Sequence, residues 1–137
     1  MKVLLILFLG LTSLSVCAQD IQAFEATILN VNKKGKKIEN TLEEPTTINV
    51  NLETSTFIIN TTNEDAKELL RNKSVFTIDK QMGELGVQYS LQIEEHIFVH
   101  FYLERKMILL TRNDIHPLQW GLQFMDITIL DTQERID

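Results

Sequence analysis

The fold is decided by residues 87–111, which read VQYSLQIEEHIFVHFYLERKMILLT. Apolar and polar residues alternate along its first part, from position 87 to position 94. A period of two is typical of a strand with one buried face. Two further apolar runs follow at 97–103 and 107–111. This stretch therefore predicts three consecutive strands.

Two short charged breaks, EEH at 94–96 and ERK at 104–106, separate these runs. If each break is a three-residue hairpin loop, Ile93 lies opposite Ile97 and Tyr89 opposite Phe101. The same register places Phe101 opposite Leu109. All odd-numbered apolar side chains of the three strands then share one face of a meander.

The rest of the chain predicts more strands and one short helix. Strands are expected at 23–31, with a bulge where the buried parity changes, at 48–52, at 57–59 and at 74–79. Residues 118–129 fit one long bulged strand or two short ones. Residues 38–45 are polar, end in Pro45 and predict a loop. A helix is expected over 63–72, capped by Thr61 or Thr62.

These elements define an all-β fold with one short helix. Nearly all connections join neighbouring strands, so the chain predicts an antiparallel meander of about eight strands. Such a sheet must hide its edges and its apolar face. A barrel, a half-barrel and a two-sheet sandwich all satisfy that requirement.

The N-terminus resembles a signal peptide, covering residues 1–18. Lys2 precedes an apolar run at 3–11, and Ala18 ends a segment suited to cleavage. We expect a single β-rich domain over 19–137, secreted or periplasmic, with no transmembrane segment in the mature chain. The alternative is a bacterial lipoprotein, because residues 14–17 (LSVC) resemble a lipoprotein box and Cys17 would then carry a lipid anchor.

Composition limits the partners of this domain. After cleavage no cysteine remains, so the domain has no disulfide and depends on its core. The mature net charge of about −7 argues against nucleic acid as a partner, since phosphate binding needs a basic face. The one basic cluster, KKGKK at 33–37, is typical of a solvated turn.

The sequence contains no pattern typical of catalysis. The mature chain has no cysteine nucleophile and no Gly-x-Ser-x-Gly turn. His96 and His100 lie four residues apart, which on a strand separates them by about 13 Å, too far for one shared metal ion. We therefore expect no catalytic residue, no cofactor and no metal, and hence no enzyme.

One group of residues suggests a contact site. In the register above, the even-numbered face of the meander carries large apolar groups around a histidine: Phe98, His100, Tyr102, Ile108 and Leu110. A solvated face should not carry so many. We expect the cover to be the 63–72 helix or the other half of the chain, and the alternatives are a partner protein and then a small apolar ligand. We take these five residues as the candidate contact patch.

The mature chain resembles short, exported, uncharacterised bacterial proteins built as one meandering β domain. The resemblance rests on the AQD start at 18–20, FEATI at 24–28, INVNLETSTFII at 48–59 and the late strand around Trp120. The layout is also similar to lipocalins in strand number. Two function classes follow. One is a non-catalytic interaction or structural module that contacts another envelope or extracellular protein, and the alternative is a lipocalin-like carrier of a small apolar ligand.

Overall fold

The computed structural model describes residues 21–116 and 119–130, so the expected signal peptide lies outside the described residues. The elements in order are β1 (Ile21–Lys33), β2 (Lys36–Asn51), β3 (Thr56–Asn60), α1 (Glu64–Leu69), β4 (Val75–Met82), β5 (Gln88–Ile93), β6 (Ile97–Tyr102), β7 (Met107–Arg112), β8 (Trp120–Met125) and β9 (Thr128–Leu130). From β1 to β8 each strand pairs with the next one along the chain, and β8 returns to β1, which closes the sheet. The protein is an antiparallel eight-stranded barrel with one extra strand, β9, paired with the start of β1.

The predicted fold class is confirmed, and of the three expected architectures the closed barrel is the one formed. Closure removes the open edges that an eight-stranded sheet would otherwise expose. The bulge expected in the first strand is also present, between Ala26 and Ile28. Because of this bulge, Phe24 before it and Leu29 after it both face the interior, and both are fully buried.

The loop predicted at 38–45 is wrong, because these residues belong to β2. Residues 36–41 pair with residues 28–33 of β1, so the backbone ladder forms although all of their side chains except that of Ile38 are polar. The register then jumps from Thr41 to Thr46, which leaves a four-residue bulge at 42–45 opposite Thr27. Pro45 lies in that bulge, where the ladder does not need its missing N–H.

The expected register of the meander is right for the first hairpin and wrong for the second. Ile93 pairs with Ile97 and Tyr89 with Phe101, as predicted. Phe101, however, pairs with Ile108 and not with Leu109. The physical reason is Leu103. This residue leaves the strand and packs into the core in a 3-10 turn (Leu103–Arg105), so that the loop has four residues, 103–106.

The short helix closes one end of the barrel. Its N-cap is Asn63, not Thr61 or Thr62: Asn63 Oδ1 accepts a 2.9 Å hydrogen bond from the N–H of Ala66. The helix is shorter than expected, and Ala66 and the C-cap residue Leu70 join the core. In the region that the structure describes, no helix is long and apolar enough to span a membrane.

The C-terminal apolar stretch forms two short strands, one of the two expected arrangements. Asp126 has a positive φ of 56° between β8 and β9. The side chain of Asp126 accepts a 2.7 Å hydrogen bond from Thr27 Oγ1, which ties this turn to the bulge in β1.

Candidate functional site

The interior of the barrel is occupied by aromatic rings at the level of Phe101. The Phe101 ring stacks on Tyr89 of β5 at 4.2 Å between centroids. It also lies 5.7 Å from Phe24 of β1 and 6.5 Å from Phe57 of β3. Strands β1, β3 and β6 belong to well-separated parts of the wall, so rings from different sides meet near the axis. These rings are fully buried or nearly so, and they pack the barrel at this level.

Most polar groups directed inward have partners in the protein. The Tyr89 hydroxyl donates a 2.7 Å hydrogen bond to Gln22 Oε1, and burial raises the pKa of this phenol. Thr46, which is fully buried, donates a 2.9 Å hydrogen bond to Thr61 Oγ1. Asn40 Nδ2 is buried with no hydrogen-bond partner within the described residues. The interior is therefore mainly apolar, with a few polar groups near its margins.

The five residues of the candidate contact patch do not share a face. Ile108 and Leu110 are fully buried in the core inside the barrel. Phe98, His100 and Tyr102 lie on the outside of β6 and are half-buried. The four-residue loop at 103–106 causes the difference, because a shift of one residue moves every side chain of β7 to the opposite face.

The residues that do lie beside Phe98, His100 and Tyr102 form a broad outer surface without charge. On β7 the outward positions are Met107, Leu109 and Thr111, and the pairing continues across β8 to β1 and across β5. We call this surface the uncharged face, and its residues are Ile28, Asn30, Asn32, Gln88, Ser90, Gln92, Phe98, His100, Tyr102, Met107, Leu109, Thr111, Gly121, Gln123 and Met125.

Charged side chains begin at both borders of the uncharged face. On β2, the exposed residues Lys37 and Glu39 pair with Asn32 and Asn30 of the face. On β4, exposed Lys80 pairs with Gln92. The face thus spans five neighbouring strands, and charge is also absent from β3 and from residues 47–51 of β2. Sequence reasoning missed this surface, although the sequence held a signal: the strand segments 88–92, 97–102, 107–111 and 120–125 contain no Asp, Glu, Lys or Arg at all.

Cross-strand pairs divide the uncharged face into rows of different chemistry. One row is apolar and runs Tyr102, Met107, Met125, Ile28 across four strands. The next row holds a polar network in which Asn30 Nδ2 donates to Gln123 Oε1 at 3.0 Å. Gln123 Nε2 in turn lies 2.9 Å from the Met107 sulfur. The network fixes the amide side chains beside the apolar row.

His100 lies at the middle of the outer side of β6. Its Nδ1 is 2.9 Å from Ser90 Oγ, and its Nε2 is 3.4 Å from Thr111 Oγ1. The rings of Phe98 and Tyr102 lie 6.3 and 6.4 Å from the imidazole, on either side. Partial burial lowers the pKa of His100, so the neutral ring is favoured at neutral pH. The imidazole is held in place as an uncharged hydrogen-bonding group among aromatic neighbours.

A groove of about 620 Å³ lies where α1 meets the β5–β6 turn and the start of β8. Three of the charged residues that line it have partners: Lys73 bonds Glu94, and Arg112 Nη2 lies 2.6 Å from Asp114 Oδ2. The hydrogen bond from Arg112 holds the pKa of the Asp114 carboxyl below its usual range. Arg112 also lies over the Trp120 ring, 5.8 Å from its centroid. Paired charges of this kind offer little net attraction to a charged ligand.

The described part of the chain brings together no group of three or more His, Cys, Asp or Glu residues that could hold a metal ion. His96 lies in the β5–β6 turn, whereas His100 points out from the middle of β6. No family model matches the chain, and comparison with curated proteins and with solved structures likewise gives no match. Function must therefore be inferred from the barrel and its surface.

Proposed function

We propose that this protein is a non-catalytic interaction module that binds another envelope or extracellular protein through the uncharged face. The observation that carries the proposal is the absence of charge from fifteen positions on the outer side of five adjacent strands, thirteen of which are at least partly exposed. In the full chain, 23% of residues are charged, but none of these fifteen positions is. Depletion of charge, with aromatic and methionine side chains present, is the compositional mark of an interface core.

The dimensions of the uncharged face fit a modest protein contact. Five strands spaced about 4.8 Å apart and five residues long give a surface of roughly 20 by 17 Å. That is about 350 Å², below the roughly 800 Å² that each partner buries in a standard interface. The face is thus suited to be the core of a contact whose rim includes charged residues at its β4 border, such as Lys80.

The polar groups of the uncharged face favour specific binding of one partner over nonspecific hydrophobic association. Burial lowers the pKa of His100 and so favours its neutral form, and contacts with Ser90 and Thr111 orient the ring. Tyr102 adds a hydroxyl at the end of a largely apolar side chain, a combination common at the centre of protein contacts. Groups held in place before binding lose less conformational entropy when the complex forms.

The carrier function receives less support. A carried apolar ligand needs free volume inside the barrel. At the level of Phe101 that volume is taken by rings from β1, β3, β5 and β6. One end is further closed by Ala66 and Leu70 of the helical segment. We therefore prefer a function on the outer surface to one in the interior.

Site-specific photo-cross-linking in the native host tests this proposal. A benzophenone amino acid replaces Tyr102 in one variant and Leu109 in another, and both should give one discrete protein adduct. The matched control places the same group at Thr77, an exposed outward position on β4. Thr77 should give no such adduct, because it lies outside the uncharged face.

A second variant separates binding from folding. Tyr102→Glu places a charge in the apolar row without touching the core, so the fold should persist while the adduct at position 109 is lost. Circular dichroism and thermal unfolding confirm the fold. If the adduct forms equally at position 77, or survives Tyr102→Glu, the uncharged face is not the binding surface.

A further inference from the structure

The first half of β2 has a free edge on one side. Residues 36–41 pair with β1, and β3 pairs only with residues 47–51 of β2. Within residues 21–116 and 119–130, no strand pairs with the second edge of 36–41. The bulge at 42–45 separates this edge from the closed wall. A strand edge of this kind presents unpaired backbone N–H and C=O groups.

The helix contacts β1 and hardly contacts β2, so it leaves this edge accessible. A groove of about 520 Å³ separates Glu44 and Pro45, in the bulge, from Lys67 and Leu70 of the helical segment. The side chains along the edge are also open to solvent, since Lys36, Lys37, Glu39 and Thr41 are all exposed. Backbone groups in such a setting are suited to pairing with another extended strand.

The charge pattern of the edge is complementary to itself. A two-fold axis perpendicular to the sheet pairs identical strands in antiparallel fashion and keeps the same face of each on the same side. Centring that pairing on Ile38 sets Lys37 of each copy opposite Glu39 of the other. Opposite charges at directly facing positions stabilise a strand pair. Ile38, which packs partly against the core, then lies opposite its own counterpart.

Charges beyond the ladder favour the same arrangement. In this register the basic turn at 34–36 of one copy approaches the bulge of the other, which contains Glu43 and Glu44. A parallel pairing would instead place lysines near lysines and glutamates near glutamates. The antiparallel arrangement therefore brings unlike charges together along the whole edge.

We propose that the free edge at 36–41 joins two copies of this protein into a symmetric dimer by antiparallel strand pairing centred on Ile38. The occupant of the edge is a second copy of the same chain. The dimer leaves the uncharged face free, because that face lies on the outward side of β5–β8 and the second half of β1. This proposal is independent of the function proposed for that face.

Sedimentation velocity on the mature domain tests the dimer. The fraction of wild-type protein that sediments as a dimer should increase as its concentration is raised to about 100 µM. The dimer should dissociate as the salt concentration rises, because salt screens exposed charge pairs. Lys37→Glu and Glu39→Lys each place like charges opposite one another at both pairs. Each variant should weaken self-association by about tenfold or more.

Two restorations make the test specific for the register. The double variant Lys37→Glu/Glu39→Lys exchanges the charges and should form the dimer again. An equimolar mixture of the two single variants should form a heterodimer, because one chain then carries two acidic side chains at positions 37 and 39 and the other carries two basic ones. A control pair at the other end of the barrel, Glu104→Lys and Arg105→Glu, should dimerise like the wild type.

The outcomes that overturn the proposal are equally distinct. A monomeric wild type at all concentrations would show that the edge does not pair with itself. A dimer that survives both single variants, or one that Tyr102→Glu dissociates while the edge variants do not, would place the contact elsewhere. If a single variant does not fold, as judged by circular dichroism, the charge-exchanged double variant decides. It must dimerise for the register to stand.

Discussion

Replacement of Phe101 by alanine should strongly destabilise the barrel. Phe101 is fully buried, and its ring contacts Phe24, Phe57 and Tyr89 near the axis. Removing about 150 Å² of buried ring at about 25 cal/mol/Å² costs nearly 4 kcal/mol, and the cavity that remains adds to this. We expect a loss of about 3–5 kcal/mol in the free energy of unfolding, measured by urea denaturation. The urea midpoint should fall by roughly 2 M, given the usual slope for a domain of this size.

A matched control lies on the same strand. Phe98 is the same residue type, three positions earlier, but it faces outward and is half-buried. Phe98→Ala should cost about 1 kcal/mol or less, because no packed cavity forms. If Phe101→Ala costs less than about 1 kcal/mol, or no more than Phe98→Ala, the ring does not fill the barrel. The interior would then have room for a ligand.

Two further predictions concern the outer histidine and the turn that sets the register. Burial lowers the folded-state pKa of His100 below its unfolded value near 6.5, so the unfolded chain binds a proton more readily. The free energy of unfolding should therefore fall as pH decreases through and below about 6.5. In urea titrations at several pH values, His100→Gln should remove part of that fall. An identical pH dependence in the variant would contradict the assignment to His100. Lys106 has a φ of 53°, so Lys106→Gly should raise the free energy of unfolding by roughly 0.5–1 kcal/mol, whereas Glu104→Gly, in the same turn, should lower it by a similar amount. Equal losses in the two glycine variants would mean that the left-handed conformation at Lys106 is not strained.

The sequence by itself determined the fold class and much of the strand layout. Alternation at 87–93 identified a strand whose odd residues are buried from Tyr89 onward, and the three-residue break at 94–96 set its register against β6. The change of parity within 23–31 identified the bulge in β1. These features are local consequences of side-chain period and turn length, so they can be read from neighbouring residues.

The tertiary structure decided which residues form the uncharged face. As an apolar residue after β6, Leu103 could have continued that strand. Instead it packs into the core in the turn at 103–105, and the pairing of β7 with β6 shifts by one residue. That shift sends Ile108 and Leu110 into the core and brings Met107 and Leu109 outward. Polar residues 36–41 likewise form a strand only because β1 supplies backbone partners. Both outcomes depend on groups distant in sequence or on closure of the barrel, so neither can be predicted from the local periodicity of the sequence.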